Sequence, residues 1–463
     1  MTAGDYYYGG EHRYPNTDLN NNTAFNVNVG FNFLEEHRIG VTVLGVNADK
    51  MGSPNYYNNL TPRAYSDRSN YSADLLYEGG YKDFGLSWKG RYFFGKNSYK
   101  TDDPDEPWGP GESLFKTYTD YQGSQGQLTF KKSFLTLTGG VDWLHYDLDS
   151  RASYYLDGQE KSSYNNIGVF ALAKLAFFDD ALIFSGGLRH DEYRLKYGED
   201  KKNLDRTTPS LGVAWHVTDW LTLKGNYGES FRVPSPLEVL GSKGMYTYLP
   251  NPDAKPEEAK TYDAGFEIAH KSLNLGLTYF ETEYKNKLIT RSVGWDTQYY
   301  NVDGKIRLKG LEGNISYDIG EAFEWPVRLR PYVNFTHILD KKSTEEAIYA
   351  GTTKVLNVSD FDLAYGLNFK YPDFGFEADL RFTYMGHQYV RDFNSSAYPS
   401  PVVKIGGKTT ADLFLSQRIH EWQDAGTLSV NAAVRNIFDE RYALIKDYPM
   451  PGRSFYLGFR YDY

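Results

Sequence analysis

The last ten residues of the chain constrain its fold more than any other segment. From Ser454 to Tyr463 every second residue is Phe, Leu or Tyr, and the residues between them are Ser, Tyr, Gly, Arg and Asp. Successive side chains of a β-strand point to opposite faces, so this strand has one aromatic, apolar face and one mainly polar face. Such a terminal strand predicts an all-β transmembrane antiparallel barrel, with lipid outside and water inside.

The composition agrees with a barrel. Aromatic residues make up 17% of the 463 residues, yet the mean hydropathy is −0.59. A barrel needs an apolar side chain only at every second position within the membrane, so it combines many aromatic residues with low hydropathy. Its most apolar run, Val169–Phe178, is interrupted by Lys174 and is shorter than the roughly 18 residues of a membrane helix.

Several classes of protein are disfavoured. The chain has no cysteine, so disulfides and thiol chemistry are excluded. A net charge of −10 argues against a nucleic-acid partner. The nine histidines occur singly, and paired carboxylates such as Glu257–Glu258 lie in predicted loops. The sequence therefore predicts no enzyme, no catalytic residue and no cofactor.

Connections of two lengths separate the alternating segments. Long loops rich in Gly, Pro, Asn, Tyr and Asp include Met51–Arg68, Lys96–Leu114, Phe231–Lys260 and Met385–Lys404. Short turns at one rim and long loops at the other are typical of outer-membrane barrels. The short turns are predicted at Leu34–His37, Lys82–Asp83, Lys131–Ser133, Asp179–Asp180, Thr218–Asp219, His270–Ser272, Gly320–Phe323, Pro372–Asp373 and Glu421–Ala425.

About nineteen complete strands are predicted, from Asn20–Phe33 to Met450–Tyr463, and Tyr6–Tyr8 is interpreted as the end of one more. Bacterial single-chain barrels have even strand numbers, so strands are expected to be missing at the N-terminus. Met1–Asp5 also lacks the features of a signal peptide. The final strand is then expected to lack the first strand as its partner, which would leave the barrel unsealed.

Two passages carry a family resemblance. One runs from Val434 to Tyr442, with Asn436-Ile437-Phe438-Asp439 at its centre, and is followed by Pro451–Phe455. The other begins at Tyr227–Pro234 and continues through Asn251-Pro252-Asp253, Lys255-Pro256-Glu257 and Tyr262–Glu267. In combination these passages resemble TonB-dependent outer-membrane receptors of the compact cobalamin and siderophore type.

The resemblance implies a barrel of twenty-two strands in the Gram-negative outer membrane, filled by an N-terminal plug behind a TonB-binding box. Residues 1–463 are expected to be a single barrel domain that is N-terminally truncated, with about 19–20 of the 22 strands and no plug. The implied partners are outer-membrane lipid, the barrel-assembly machinery and a metal-chelate or corrin ligand. TonB is expected to act only through the plug segment.

Aromatic and arginine side chains in the long loops are the candidate ligand contacts, since rings stack on chelates or corrins and guanidinium groups pair with anions. The alternative interpretation is that many of the rings belong to the interfacial aromatic girdle. The substrate-binding candidates are Trp108, Arg232, Tyr246, Tyr248, Trp295, Tyr299, Tyr389, Arg391 and Tyr398, with Tyr300 beside them.

The motif residues have a structural interpretation, because Pro and Asn shape the entry and exit of loops. No histidine lies between Phe231 and Lys260, where haem receptors of this family carry one. The residues assigned to family motifs are Phe231, Pro234, Asn251, Pro252, Pro256, Glu257, Asn436, Phe438, Asp439, Gly452, Arg453 and Tyr463.

An acidic loop is a weak calcium candidate. Asp102, Asp103 and Asp105, with Glu106 and Glu112, offer the hard oxygen ligands that Ca²⁺ prefers. Their spacing does not match the helix-loop-helix calcium pattern. A solvated acidic loop is the competing interpretation.

The resemblance implies TonB-dependent uptake of a scarce nutrient, a ferric siderophore or cobalamin. Three alternatives remain: a passive porin-type channel, an outer-membrane enzyme and a soluble all-β carbohydrate-binding protein. The arginines predicted to face the lumen, where they would contact a plug, are Arg189, Arg328, Arg330, Arg381 and Arg435.

Overall fold

The structure is a computed structural model of the chain. It describes residues 7–8, 12–13, 22–52, 63–104, 115–151, 161–242, 248–344, 352–392, 395, 397, 400–423, 425–446 and 448–462. Within these residues, nineteen long strands form one antiparallel sheet that closes into a barrel. The predicted all-β barrel is confirmed.

The barrel strands follow one another around the ring in chain order. The first ten are β1 (Asn22–Phe33), β2 (His37–Gly52), β3 (Tyr65–Tyr81), β4 (Leu86–Asp102), β5 (Phe115–Lys132), β6 (Leu135–Arg151), β7 (Ser162–Phe177), β8 (Leu182–Tyr197), β9 (Asp200–Thr218) and β10 (Leu221–Arg232). The other nine are β11 (Glu257–His270), β12 (Leu273–Lys285), β13 (Ile306–Tyr317), β14 (Arg328–Ser343), β15 (Phe361–Tyr371), β16 (Phe376–Met385), β17 (Lys408–Trp422), β18 (Gly426–Arg435) and β19 (Ser454–Asp462).

All nine predicted short turns join consecutive barrel strands at one rim. One of them contains a 3₁₀ turn, Lys82–Phe84, and another contains the short helix Ile319–Ala322. No helix in the described part of the chain is long and apolar enough to cross a membrane.

The opposite rim carries the longer connections, several of which contain local structure, although β8 and β9 are joined there by only Gly198 and Glu199. The helix α1 (Pro236–Leu240) lies in the connection from β10 to β11. The strands Tyr248–Leu249, Leu288–Val293 and Asp296–Asn301 form a three-stranded sheet beside it. The remaining small sheets pair Tyr7–Tyr8 with His12–Arg13, Gln388–Arg391 with Val402–Ile405, and Ala443–Ile445 with Tyr448–Pro449.

The two faces of the sheet differ in chemistry, as the alternation predicts. In β19, Phe455, Leu457 and Phe459 lie on the outward face and are 72%, 73% and 76% exposed. The register places Arg460, on the opposite face, beside Ser429 of β18. Apolar side chains thus cover the outer surface, while polar ones line a wide lumen.

The prediction that the last strand lacks a partner is wrong, because the ring closes with β19 next to β1. Closure removes the rows of unpaired backbone groups that an open sheet would expose to lipid. The eighteen pairings between consecutive strands are all antiparallel, so β1 and β19 run in the same direction. All twelve residues of β1 are exposed, so the junction between β1 and β19 is more exposed to solvent than the rest of the barrel wall.

Two smaller predictions also change. Tyr7–Tyr8 does not extend the barrel sheet but pairs with His12–Arg13 in a separate hairpin, and Tyr6 lies outside the described residues. Three parts of the predicted loops belong to strands instead: Lys96–Asp102 to β4, residues 65–68 to β3 and residues 257–260 to β11. The polar ends of these strands keep their backbone hydrogen bonds to the neighbouring strands, because those bonds do not depend on apolar side chains. The strands therefore extend beyond the apolar band of the outer surface.

Candidate functional site

Arg232, at the end of β10, ties together the long connection that follows it. Its Nε donates to Glu257 Oε2 at 2.6 Å, and Glu257 is its register partner on β11. Its Nη1 and Nη2 donate to the two carboxylate oxygens of Glu238 at 2.9 and 3.1 Å. Ser235 caps α1, and Glu238 completes the capping box. We call Arg232, Glu238 and Glu257 the loop clamp.

Glu238 is held in its charged form. Burial opposes ionisation of this side chain, but the hydrogen bonds from Arg232 and from Ser235 outweigh burial and lower the pKa of Glu238. The guanidinium of the candidate ligand residue Arg232 is therefore bonded to two carboxylates of its own loop.

The two motif boxes of this connection meet in a small apolar core. Leu195, Val239, Ala254 and Leu288 are buried together there. Pro234 from the first box is also fully buried. Hydrogen bonds hold the second box: Asn251 Nδ2 donates to Tyr299 O at 2.9 Å, Lys202 Nζ donates to Pro252 O, and Leu288 N donates to Glu257 Oε1 at 2.8 Å. Pro256 lies immediately before β11.

The hairpin Leu288–Asn301 presents several candidate aromatic residues in different environments. Tyr248 and Tyr299 stack on each other with centroids 5.5 Å apart. Burial raises the pKa of Tyr299, and the nearby Tyr248 adds to the effect. Tyr300 lies beneath the guanidinium of Arg291, 4.8 Å from ring centroid to Cζ. Trp295, at the hairpin tip, is fully exposed.

Tyr389 and Arg391 belong to a second loop hairpin. The Nζ of Lys354 lies 3.8 Å from the ring centroid of Tyr389, a cation–π contact. Arg391 Nη1 donates to Ser400 O at 2.7 Å. Arg391 therefore has a partner in its own loop, and Tyr389 has one in the connection between β14 and β15.

Seven of the named candidate residues lie outside the described residues: Trp108, Tyr246, Tyr398, Asp105, Glu106, Glu112 and Tyr463. Asp102 and Asp103 of the calcium candidate are 4% and 3% exposed, and Asp102 Oδ2 lies 2.6 Å from Lys100 Nζ. Across the described ranges, no group of three or more potential ligand side chains is placed to hold a metal ion.

The C-terminal motif anchors the connection between β18 and β19. Asn436 and Asp439 both adopt left-handed backbone, with φ of 49° and 54°. Asn436 is buried, and its Nδ2 donates to the carbonyls of Glu440 at 2.9 Å and Pro451 at 3.2 Å. Arg453 N donates to Asp439 Oδ1 at 2.8 Å. This hydrogen bond brings the Gly452-Arg453 passage back to the first half of the motif.

Phe438 occupies the outer side of the same motif. It is 60% exposed, and its ring centroid lies 6.3 Å from that of Phe382. Phe438 therefore packs beside another exterior aromatic ring, whereas its neighbours Asn436 and Asp439 fix the backbone.

One part of the lumenal wall has matched charges. Arg189 on β8 donates to Asp142 of β6 at 2.6 Å and to Asp191 at 2.7 Å. Arg91 on β4 pairs with Asp74 of β3. The sequence predicts that Arg189 faces the lumen but does not reveal its carboxylate partner Asp142, which lies 47 residues away in the chain.

Another part of the wall carries cations beside aromatic rings. The guanidinium groups of Arg381 and Arg435 lie 5.8 and 6.0 Å from the ring centroid of Phe414. Arg435 also lies 5.1 Å from the ring of Tyr456. The register places Arg330 on the same face, since the row from β14 to β19 runs through Arg330, Asn368, Asp379, Phe414, Ala433 and Tyr456.

We call Arg330, Arg381, Phe414, Arg435 and Tyr456 the cationic wall. Arg381 lies 3.8 Å from Asp379. Within the described residues, neither Arg330 nor Arg435 has a carboxylate oxygen within 4.0 Å. A recess of about 440 Å³ borders the wall at Phe414 and Tyr456. The recess is also lined by the carboxylates of Glu377 and Asp379, so the charges of this part of the wall are mixed.

A large antiparallel barrel with a polar lumen, tight turns at one rim and structured loops at the other is the architecture of an outer-membrane receptor or channel. Residues 2–437 match the family model described as "TonB dependent receptor-like, beta-barrel". The chain belongs to the TonB-dependent receptor family, whose members are transporters and receptors of the Gram-negative outer membrane.

Solved structures share the fold. The FrpB iron transporter from Neisseria meningitidis (F5-1 variant) superposes with a TM-score of 0.78 at 18% identity, covering 100% of this chain and 76% of that one. The siderophore receptor PirA from Acinetobacter baumannii gives 0.72 at 17% identity, covering 95% and 70%. A ferric enterobactin receptor from Pseudomonas aeruginosa, PfeA in complex with enterobactin, gives 0.74 at 18% identity, covering 95% and 70%.

Proposed function

We propose that this chain is the barrel domain of a receptor for the TonB-dependent uptake of an anionic iron chelate of the siderophore class. The observation that carries the proposal is the cationic wall. Arg330 and Arg435 face the lumen, and neither has a carboxylate oxygen within 4.0 Å in the described chain. Guanidinium groups bind planar anionic oxygen ligands with two parallel hydrogen bonds, which suits carboxylate and catecholate donors.

The aromatic rings in the wall complement the arginines. Phe414 and Tyr456 hold the guanidinium of Arg435 by cation–π contacts. A side chain oriented in this way loses less conformational freedom when it binds a ligand. The names of the similar structures, an iron transporter and two receptors for siderophores, support an iron chelate as ligand.

Cobalamin is the other substrate class predicted from the sequence. It is not a polyanion, and a wall of arginines gives it no special advantage. A ferric chelate with several anionic donor groups benefits from each arginine that it contacts. The cationic wall therefore favours the chelate over the corrin.

The loop candidates remain proposals as ligand contacts. Among the candidates that the structure describes, Trp295 is the most accessible, because its whole side chain is in solvent. The other described candidates have partners in their own or neighbouring loops, which a ligand would have to share or displace: Arg232, Tyr248, Tyr299, Tyr389 and Arg391. In this proposal the lumenal wall and the loops bind the chelate, and TonB acts through a plug segment, as the family resemblance implies.

Binding of radio-iron complexes to the purified protein in detergent tests the proposal. We expect Arg435→Gln with Arg381→Gln to weaken binding of an anionic ferric chelate at least tenfold, and added salt to weaken binding to the parent protein. Arg460→Gln is the matched control, since Arg460 lies on the same face of β19 but pairs with Asp462. Equal binding by the double variant and the parent would overturn the role of the wall. Ohmic conductance in planar bilayers without any chelate binding would support the porin-type alternative instead.

A further inference from the structure

A group of charged side chains crosses three neighbouring strands on the outside of the barrel. On β12 it contains Glu281 and Glu283, whose register partners on β13 are Lys309 and Arg307. It continues on β14, where Lys342 is the register partner of Arg307. We call the cations of this group the exterior basic patch: Lys285, Lys305, Arg307, Lys309 and Lys342.

The register and the exposed apolar residues fix the face on which the patch lies. Tyr279 on β12 and Ile315 and Tyr317 on β13 are exposed members of the outer apolar surface. Every second residue of a strand shares a face, so Glu281 and Arg307 also lie on the outer face. The patch therefore points away from the lumen and is separate from the cationic wall.

The patch lies at the upper edge of the membrane. The 12 residues of β13 run from Ile306 to Tyr317, beside a short turn, and at a tilt of about 40° such a strand spans roughly 28 Å of height. The apolar band of an outer-membrane barrel is about 25 Å tall, so Arg307 lies beyond it. The hydroxyl of Tyr279 donates to Glu281 Oε2 at 3.3 Å, as expected of an interfacial tyrosine with its ring in the apolar layer.

Glu281 is shared by two of the cations. Arg307 donates to its Oε1, and Lys309 Nζ lies 3.3 Å from its Oε2. The side chain of Glu281 is 23% exposed, whereas that of Arg307 is 48% exposed. The carboxylate therefore lies close to the wall and holds the guanidinium at the surface. A guanidinium has more N–H donors than one carboxylate oxygen uses, so donors remain for another partner.

Glu283 repeats this arrangement one step farther along β12. Lys285 Nζ and Lys305 Nζ lie 3.1 and 3.4 Å from its Oε1. Lys342 adds another cation, 3.3 Å from Asp340. The group thus contains five cations and three carboxylates, so positive charge remains in excess after the ion pairs are formed.

An excess of cations beside the apolar band fits an anionic lipid headgroup. The outer leaflet of a Gram-negative outer membrane consists of lipopolysaccharide, whose lipid A carries phosphate groups directly above its acyl chains. Arginine binds phosphate oxygens with parallel hydrogen bonds, and lysine adds charge. Basic side chains at a membrane surface attract anionic lipids in this way. The exposed apolar side chains below the patch lie where the acyl chains of such a lipid would run.

We propose that the exterior basic patch binds a phosphate group of lipid A, with Arg307 and Lys342 in contact with it. The acyl chains of the same lipid lie along the apolar side chains of β13 below. The patch is on the outer face, so this assignment does not depend on the ligand proposed for the lumen.

Native mass spectrometry of the purified protein in detergent tests the patch with two probes, lipid A and dephosphorylated lipid A that carries the same acyl chains. EDTA is present throughout, so divalent ions cannot bridge the lipid to carboxylates. We expect the parent to bind lipid A at least tenfold more tightly than the dephosphorylated form. The double variant Arg307→Gln with Lys342→Gln is expected to weaken lipid A binding at least fivefold. Its binding of the dephosphorylated lipid is expected to stay within twofold.

Arg194→Gln with Lys96→Gln is the matched control. It also removes one arginine and one lysine from the outer face, on β8 and β4, and Lys96 pairs with a single carboxylate, that of Asp120. Heat-dependent mobility on electrophoresis checks that each variant forms its barrel.

The patch is wrong if the parent does not distinguish the two lipids or binds neither of them. It is also wrong if the Arg307 and Lys342 variant binds lipid A as tightly as the parent, or if the control weakens binding equally. Binding of an anionic ferric chelate is a separate readout, which is expected to be the same in the parent and in this variant. Failure of the patch therefore leaves the proposed function standing.

Discussion

Arg232 and Glu257 are register partners on β10 and β11 and are joined by a 2.6 Å bond from Nε to Oε2. They mark the points where the chain leaves the barrel wall and returns to it. The same guanidinium bonds Glu238 of α1, so one side chain fixes the base and the helix of the intervening connection.

Replacing Arg232 by Ala is expected to loosen this connection without opening the barrel. The guanidinium is nearly half exposed, so each ion pair contributes little, on the order of 1 kcal/mol. Hydrogen exchange should show faster exchange in residues 236–240, while the amides of β10 and β11 below the clamp keep their protection. Arg232→Lys retains the positive charge but not the several N–H donors of the guanidinium, so it should give an intermediate rate of hydrogen exchange. Unchanged exchange in α1 would contradict the clamp.

Acid is expected to release the clamp through Glu238. Its pKa in the folded protein lies below the ordinary value of 4.5. The stabilisation is therefore present above about pH 4.5 and is lost as the pH falls through the lower folded pKa. Hydrogen exchange of the α1 amides, corrected for the intrinsic effect of pH, should become faster in the parent protein as the pH falls. The increase should be much smaller in the Glu238→Gln variant. A parallel response in the two proteins would show that Glu238 does not control the clamp.

Asn436 is expected to be the most sensitive position of the C-terminal motif. Asn436→Ala removes its buried side-chain hydrogen bonds, which contribute about 2–3 kcal/mol in total. It also places alanine at a φ of 49°, at a cost of roughly 1 kcal/mol more. Asn436→Gly loses only the hydrogen bonds. The temperature at which its barrel loses its folded electrophoretic mobility should therefore lie between the temperatures for the parent and for the alanine variant. If alanine is tolerated as well as glycine, the left-handed backbone has no energetic role.

Gly168 is expected to be intolerant of a side chain because Arg189 lies across it. A methyl group there would come within 3.0 Å of Arg189 Nη2 and Asp191 Oδ1, so alanine should cost about 1–3 kcal/mol through overpacking. Gly228→Ala is the matched control, since nothing lies within 4 Å of a methyl group there. The temperature at which half of the protein loses its folded electrophoretic mobility should fall for Gly168→Ala and not for Gly228→Ala. Equal midpoints would contradict the close packing of Arg189.

The barrel could be predicted from the sequence because its signals are local. The alternation in β19 and the polar residues at each tight turn lie within a few neighbouring residues, and all nine turns occur where predicted. The closure of β19 on β1 was not predictable in the same way, because alternation does not specify which strands meet.

The site was harder to predict, because its contacts depend on register between distant segments. The sequence predicts Arg232 as a ligand contact, but its partners Glu238 and Glu257 are brought to it only by the folding of the loop. The contact between the rings of Tyr121 and Tyr146 was missed for the same reason. Tyr121 and Tyr146 lie far apart in the chain, and only the pairing of β5 with β6 places their rings side by side. A register alignment of consecutive predicted strands is the signal that could have identified this contact.

The most direct test of the receptor account is a binding comparison across ligands of different charge. Ferric enterobactin, ferric citrate, a neutral ferric hydroxamate and cobalamin would be titrated into the purified protein at low and high salt. We predict that an anionic ferric chelate binds most tightly and that its affinity falls as salt screens the cationic wall around Arg435. Cobalamin or the neutral hydroxamate binding as tightly as the anionic chelates, or an affinity for the anionic chelates that is independent of salt, would contradict the account.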